Sequence, residues 1–258
     1  MSDSEILTEV ESGVMTVTLN RPAKMNSITP EMHRALAEAF DRFGSDDTLH
    51  VAIVTGAGER AFCAGSDLAR FSSTGTYPET GYAGLAERYD LVKPVIAAVN
   101  GICLGGGFEL ALACDIVVAS ETALFGLPEP KVGLIAIGGG IHRLVRQTGL
   151  KRAMEPLLTG RNIPAAEAFD MGLVSELAAP GAVMETARRI AGQIIANAPL
   201  AVRLSKELAL WGLDQPNLKD ALSNQASHPS FAHWREAEDT AEGPRAFSEK
   251  RQATWKGR

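Results

Sequence analysis

A chain of 258 residues with 45% hydrophobic and 22% charged residues has the composition of an ordinary globular protein, long enough for one large core or one domain with an appendage. Its formal charge of −6 disfavours nonspecific binding to nucleic acid, and an acidic ligand would need a local basic patch. No apolar run approaches the roughly 20 residues that span a bilayer, and the acidic start, residues 1–13, lacks the basic flank and apolar segment of a signal peptide; the expected location is cytoplasmic.

Val14–Leu19 alternates at period two and predicts a strand. Thr29-Pro30-Glu31-Met32 reads as a helix start, with Thr29 as N-cap and Pro30 at the first helical position, and the helix should run to about Phe43. The apolar runs Val51–Thr55, Val95–Val99 and Ile116–Ala119 predict buried strands. Segment 72–86, with Ser72-Ser73-Thr74-Gly75-Thr76, Gly81 and Gly84, has loop composition, and loops of this kind often shape a substrate pocket. After the turn at Asn100-Gly101 and the glycines 105–107, a helix-like run occupies Glu109–Cys114. Beyond about Leu150 the strand signals fade into helical segments over Ala165–Met171, Met184–Asn197 and Leu200–Trp211. The expected division is a core over residues 1–195 and a helical C-terminal region over 196–258.

Two stretches repeat one layout. Val51–Val54 leads through Gly56 to Gly65 and a helix, and Val95–Val99 leads through Gly101 to Gly106 and a helix. Stacked β-β-α turns of this kind would deliver glycine-flanked backbone N–H groups to a shared cleft. A strand, a Gly-rich turn and a helix start aim free amides and the positive end of a helix dipole at one point, where an anion or oxyanion can sit.

Two glutamates stand in suggestive contexts twenty positions apart. Glu109 follows the triple glycine and opens an apolar helix, with little room for a charge except at its start. Glu129 lies between Pro128 and Pro130, which predicts a stiff, extended backbone around its carboxylate. Two carboxylates in one apolar cleft have their pKa values pushed apart, so that one accepts a proton while the other donates. Either glutamate alone would more often be a solvated surface residue, and the glycines alone could serve close packing.

Other chemistries fit poorly. A dinucleotide fingerprint would need glycine at Leu110 or Arg143, and a hydrolase elbow around Ser66 would need glycines at Ala64 and Leu68. Cys63, Cys103 and Cys114 sit in apolar or glycine-rich segments and read as buried free thiols. His33, His50, His142, His228 and His233 show no ligand spacing and read as structural or surface residues.

At these residues the chain resembles the enoyl-CoA hydratase/isomerase superfamily, also called the crotonase family, over nearly its whole length. The resemblance rests on Leu19-Asn20-Arg21-Pro22 with Asn26, Phe62–Leu68, Lys93–Asp115 and Phe125–Glu129. It continues through Leu158-Thr159-Gly160-Arg161, the run from Ala168 to Val174, and Gly243–Arg251. The resemblance implies an α/β crotonase (ClpP-like) fold, a spiral of β-β-α repeats with a helical C-terminal region that builds a homotrimer or a hexamer made as a dimer of trimers.

It also implies roles. The amides of Ser66 and Gly106 correspond to an oxyanion hole for a thioester carbonyl, and Glu109 and Glu129 to catalytic glutamates that hold and activate one water. Lys24, Met25, Ala64, Asp67 and Leu68 match segments lining the coenzyme A moiety, with Lys250 or Arg251 of a neighbouring subunit near its phosphates. The implied activity is enoyl-CoA hydratase, as in fatty acid metabolism, with an acyl-CoA substrate and no metal, separate cofactor, nucleic acid or membrane. Rival readings are an enoyl-CoA isomerase, a carnitinyl-CoA-type dehydratase, a thioester hydrolase, or a noncatalytic CoA-thioester- or RNA-binding relative. Where many hydratases read Ile-Pro-Gly-Ala-Gly-Gly, this chain has Ile135-Ala136-Ile137-Gly138-Gly139-Gly140, which points to an acyl preference of its own.

Overall fold

A computed structural model describes residues 4–70 and 77–257. The loop reading of Ser72 to Thr76 lies outside the described residues. The described residues form ten strands: β1 (Ile6–Glu11), β2 (Val14–Leu19), β3 (Val51–Gly56), β4 (Ala61–Cys63), β5 (Val95–Val99), β6 (Ile102–Leu104), β7 (Ile116–Ser120), β8 (Leu124–Gly126), β9 (Ile163–Pro164) and β10 (Glu176–Ala178). Its helices are α1 (Pro30–Ser45), α2 (Gly106–Ala113), α3 (Gly140–Thr148), α4 (Leu150–Thr159), α5 (Ala165–Asp170), α6 (Val183–Ile195), α7 (Pro199–Leu213), α8 (Leu218–Asn224), α9 (Pro229–Glu236) and α10 (Glu238–Ser248).

The strands make two sheets, ordered β1-β2-β3-β5-β7-β10 and β4-β6-β8-β9. Successive turns of the chain give one strand to each: β3 then β4, β5 then β6, β7 then β8. Within each sheet these successive strands pair parallel. This is the β-β-α repeat expected from the sequence.

Burial explains the strand patterns. On the larger sheet, Ala52, Val54, Ala97 and Val99 join a core that also holds Phe40, Phe43, Phe62, Phe108 and Phe125. The alternate residues Val51, Ile53, Ile96, Ala98 and Val118 are covered by Val183, Ala187 and Ala191 of α6. Strands buried on both faces read as continuous apolar runs, whereas β2 has one face less deeply covered and keeps its alternation.

The start of α1 follows local rules. Thr29 is fully buried, and its hydroxyl accepts from the Met32 amide at 3.3 Å and donates to Glu5 at 3.0 Å. Thr29→Ala is expected to lower unfolding free energy by about 1–2 kcal/mol, measured by urea titration, through loss of the cap.

Two local expectations are corrected. No helix directly follows Gly65; Ser66 instead makes a parallel bridge to Ile28. The Ile28 amide donates to Gly65 at 2.8 Å and the Asp67 amide to Ile28 at 2.9 Å, which keeps this backbone extended beside the entry to α1. Glu129 is not in extended backbone but begins a 3-10 turn, Glu129–Val132. Pro130 has no amide to satisfy and suits a first helical turn, while the Glu129 carbonyl accepts from Gly133 and Leu134.

Candidate active site

Because β4, β6 and β8 are parallel neighbours, the chain leaves their C-terminal ends at one edge of the smaller sheet. From β4 comes Ala64-Gly65-Ser66, from β6 comes Gly105 and α2, and from β8 comes Leu127-Pro128-Glu129. The sheet thus gathers segments more than sixty positions apart.

The first two segments touch. A Cβ on Gly65 would lie 3.2 Å from the Gly106 nitrogen. The Gly106 amide occupies the first position of α2 and has no intrahelical acceptor. The Ser66 amide has no acceptor among the described residues. Two uncommitted N–H groups therefore stand side by side at a helix N-terminus, an arrangement suited to an oxygen that gains negative charge.

Glu109 is in the first turn of α2 and only 3% exposed. Its Oε1 accepts from the Gly140 amide at 2.9 Å. A Cβ on Gly138 would lie 2.7 Å from its Oε2, so the glycines before α3 allow the backbone to close over the carboxylate. Burial is the main cause that pushes this carboxyl up to about 7; the Glu129 charge adds to it, while the Gly140 and Gly138 amides and Arg143 oppose it.

Glu129 is half-buried, and its carboxyl is also raised, again by burial. A Cβ on Gly105 would lie 3.0 Å from its Oε1, while its Oε2 is buried with no hydrogen-bond partner among the described residues. An unpartnered buried carboxylate oxygen costs stability unless a ligand or water completes it. Two carboxyl groups with raised pKa values thus lie close enough to influence one another, Glu109 held by an amide beneath Gly138 and Gly140 and Glu129 open beside Gly105.

Tyr82 closes the floor of this region. It is 3% exposed, and a Cβ on Gly106 would fall 2.0 Å from its hydroxyl. That hydroxyl lies 3.1 Å from Ser66 Oγ. Its ring packs edge-on against His33 and Tyr77, with centroids 4.7 and 5.5 Å apart. His33 Nδ1 accepts from the Ala83 amide at 2.9 Å, and burial lowers this imidazole to about 4, so it stays neutral. Arg143 donates to the Ala86 carbonyl at 2.6 Å and ties α3 to the same turn.

Among the residues expected to line the coenzyme A moiety, 21–26 and 64–68 do meet. The Ala64 amide donates to the Met25 carbonyl at 3.0 Å, and Arg21 pairs with Asp67 at 2.9 Å. Asp67 also accepts from the Ala69 amide, so its carboxylate orders the segment; Arg21 is the chief cause of its lowered pKa. Lys24 is exposed, and Leu68 is 59% exposed. Lys250 follows α10, and among the described residues no hydrogen bond or ion pair joins it to 21–26 or 64–68. Arg251 is held by Glu242 and Glu249, which leaves Lys250 as the cation of that pair without a carboxylate partner among the described residues.

Tyr82, Arg143 and the contacts of Gly138 and Gly140 with Glu109 were not legible in the sequence. A tyrosine flanked by Gly81 and Gly84 in a loop was the one available signal. Among the described residues no group of three or more His, Cys, Asp or Glu is placed to hold a metal, and no helix is long and apolar enough to cross a membrane.

The comparisons agree with this geometry. The model of the enoyl-CoA hydratase/isomerase family matches residues 9–258. Carnitinyl-CoA dehydratases of Salmonella heidelberg (strain SL476) and Salmonella typhi are each 42% identical over 267 aligned positions, covering 100% of both chains. Enoyl-CoA hydratase EchA1 of Mycobacterium marinum superposes with a TM-score of 0.92 at 41% identity, covering 98% of this chain and 99% of that one. An enoyl-CoA hydratase of Mycobacterium tuberculosis H37Rv gives 0.91 at 40%, with 98% and 99% covered. A whole-length match in sequence, the β-β-α spiral and the two-carboxylate edge lead to one conclusion: the chain belongs to the enoyl-CoA hydratase/isomerase family and has the crotonase fold.

Proposed function

We propose that this protein catalyses reversible water transfer on an acyl-CoA thioester, adding water across a trans-2-enoyl-CoA to give a 3-hydroxyacyl-CoA. The observation that supports this reading is the pair of carboxyl groups with raised pKa values, buried Glu109 and half-buried Glu129, beside the free amides of Ser66 and Gly106. The two amides hold the thioester oxygen. Glu109 takes a proton from water as its oxygen bonds to C3, and the double-bond electrons move onto the thioester oxygen as an enolate. Glu129 then gives its proton to C2, the carbonyl re-forms, and the proton held on Glu109 returns to Glu129 by exchange. Net, one water is added.

A carnitinyl-CoA dehydratase-like activity is the second reading, favoured by relatives at 42% identity over the whole chain. It needs the same donors and the same acid and base, run towards loss of water, and differs in the acyl group. Coenzyme A enters as part of the substrate. Lys24 lies on the segment paired with Ala64, and a trimer or dimer of trimers would bring Lys250 of a second copy to the CoA phosphates.

The test is loss of conjugated enoyl-thioester absorbance with crotonyl-CoA and longer 2-enoyl-CoAs, and its appearance with carnitinyl-CoA. Turnover confined to carnitinyl-CoA would favour the second reading, and no absorbance change with any of them would refute both. In the hydration direction, kcat is expected to follow a bell-shaped pH profile with one limb near 7, because the active form has Glu109 ionised to accept and Glu129 protonated to donate, and either losing or gaining a proton on the pair removes that form. A flat profile from pH 5.5 to 8 would remove Glu109 from the role of base.

A further inference from the structure

Beneath the two amides lies a pair of hydroxyls that the water-transfer mechanism leaves unused. Tyr82 is buried and its O–H must donate somewhere, because an unmade bond there would cost the full desolvation of the group. Among the described residues its one partner is Ser66 Oγ, at 3.1 Å. Burial, the chief cause, raises Tyr82 well above the ordinary phenol range, so the hydroxyl keeps its proton. With Tyr82 donating, Ser66 Oγ acts as acceptor in that bond and its own proton is free. Ser66 is the more accessible of the two residues, and its amide is already one of the two uncommitted donors.

The tyrosine is fixed from several sides. Its hydroxyl occupies the space above Gly106, its Cβ would lie 2.9 Å from a Cβ on Gly138, and its ring contacts His33 and Tyr77. The next residue, Ala83, holds a φ of 54° and donates its amide to His33 Nδ1. Non-glycine residues keep that backbone only when their surroundings enforce it.

We infer that Tyr82 is a positioning residue that orients the Ser66 hydroxyl as a third hydrogen-bond donor to the thioester oxygen, beside the amides of Ser66 and Gly106. This rests on the reading of those amides as the thioester-oxygen donors. Two hydroxyls in series polarise one another, so the outer one donates more strongly to an oxygen gaining charge.

The experiment uses acetoacetyl-CoA, a 3-oxoacyl thioester whose enolate absorbs in the near ultraviolet, bound to the full chain. Wild type is expected to raise the enolate-to-keto ratio of the bound thioester. Tyr82→Phe and Ser66→Ala should each lower that ratio by about tenfold to a hundredfold, the worth of a hydrogen bond to a charged acceptor, with little change in acetoacetyl-CoA affinity. The double variant should lose no more than either single one, because the two hydroxyls act as one donor. A purely packing role for Tyr82 would lower the thermal midpoint and leave the ratio of the bound thioester unchanged.

Unchanged ratios in both single variants, or losses that add in the double variant, would overturn the inference. If Tyr82→Phe fails to fold, Ser66→Ala decides alone, since it removes the hydroxyl and keeps the amide; an unchanged ratio there overturns the inference. Enolate stabilisation by a wild type that turns over no enoyl-CoA would defeat the hydratase reading and leave this inference standing. Absence of enolate stabilisation in wild type would defeat the oxyanion reading and this inference together.

Discussion

Glu109→Gln is expected to lower kcat for crotonyl-CoA by about a hundredfold to ten-thousandfold, and in the same protein to raise stability at pH 8. The first effect follows from chemistry: an amide cannot accept the water proton, and general-base catalysis is worth about a hundredfold to ten-thousandfold. The second follows from burial. Glu109 ionises at about 7 in the folded chain against an ordinary 4.5, so the folded state binds the extra proton across that interval. Below about pH 4.5 both states are protonated and the group contributes nothing against folding; as pH rises through about 7 the buried charge opposes it, up to the order of 3 kcal/mol. Glutamine keeps an oxygen for the Gly140 amide and carries no charge. Thermal midpoints of wild type and Glu109→Gln should therefore diverge as pH rises from 5 to 8, with the variant higher. Equal midpoints at pH 8 would contradict a desolvated Glu109. Glu129→Gln should likewise lose most hydration activity, whereas an isomerase would survive loss of one of the two.

What was legible in the sequence was local. The N-cap at Thr29 with Pro30 behind it, the alternation of β2, and the apolar runs of β3, β5 and β7 are each decided within a few residues, and the structure has them all. The strands that carry the site are different. β4, β6 and β8 have three residues each, too short for a period to register, and they are held by neighbours far along the chain. The repeat layout gave their existence without their geometry.

The same distinction separates the glutamates from their surroundings. Glu109 and Glu129 stood out because a triple glycine and two prolines flank them. The backbone of Glu129 was misread because Pro130 opens a 3-10 turn whose hydrogen bonds come from Gly133 and Leu134. Tyr82 had no such flank. Its meaning lies in contacts with Ser66 and Gly106, sixteen and twenty-four positions away, and no local pattern encodes them. The departure at Ile135-Ala136-Ile137 resolves into a buried Ala136 between two isoleucines that are 66% and 68% exposed, just before the glycines that enclose Glu109.

Gly107→Ala is expected to lower kcat about a hundredfold and to destabilise the protein, although residue 107 offers no functional group. A Cβ there would lie 2.2 Å from the Cys63 carbonyl oxygen and 2.8 Å from the Cys63 carbonyl carbon. That obstacle is backbone at the end of β4, so no side-chain rotation relieves it, and the first turn of α2 must move away by about 1 Å to restore normal contact. This displacement separates the Gly106 amide from the Ser66 amide and carries Glu109 with it. A misplacement of about 1 Å at a reacting centre is worth about a hundredfold, and overpacking costs about 1–3 kcal/mol. Gly192→Ala is the control: residue 192 lies on the exposed face of α6 with no atom within 4 Å of its Cβ position. There, better helix propensity should stabilise by up to about 1 kcal/mol and leave kcat unchanged. Measured together by crotonyl-CoA turnover and urea titration, the two variants distinguish a glycine required by the spacing of two catalytic segments from one the helix tolerates. Near-normal kcat in Gly107→Ala would mean that the gap between β4 and α2 does not set the position of the two donors.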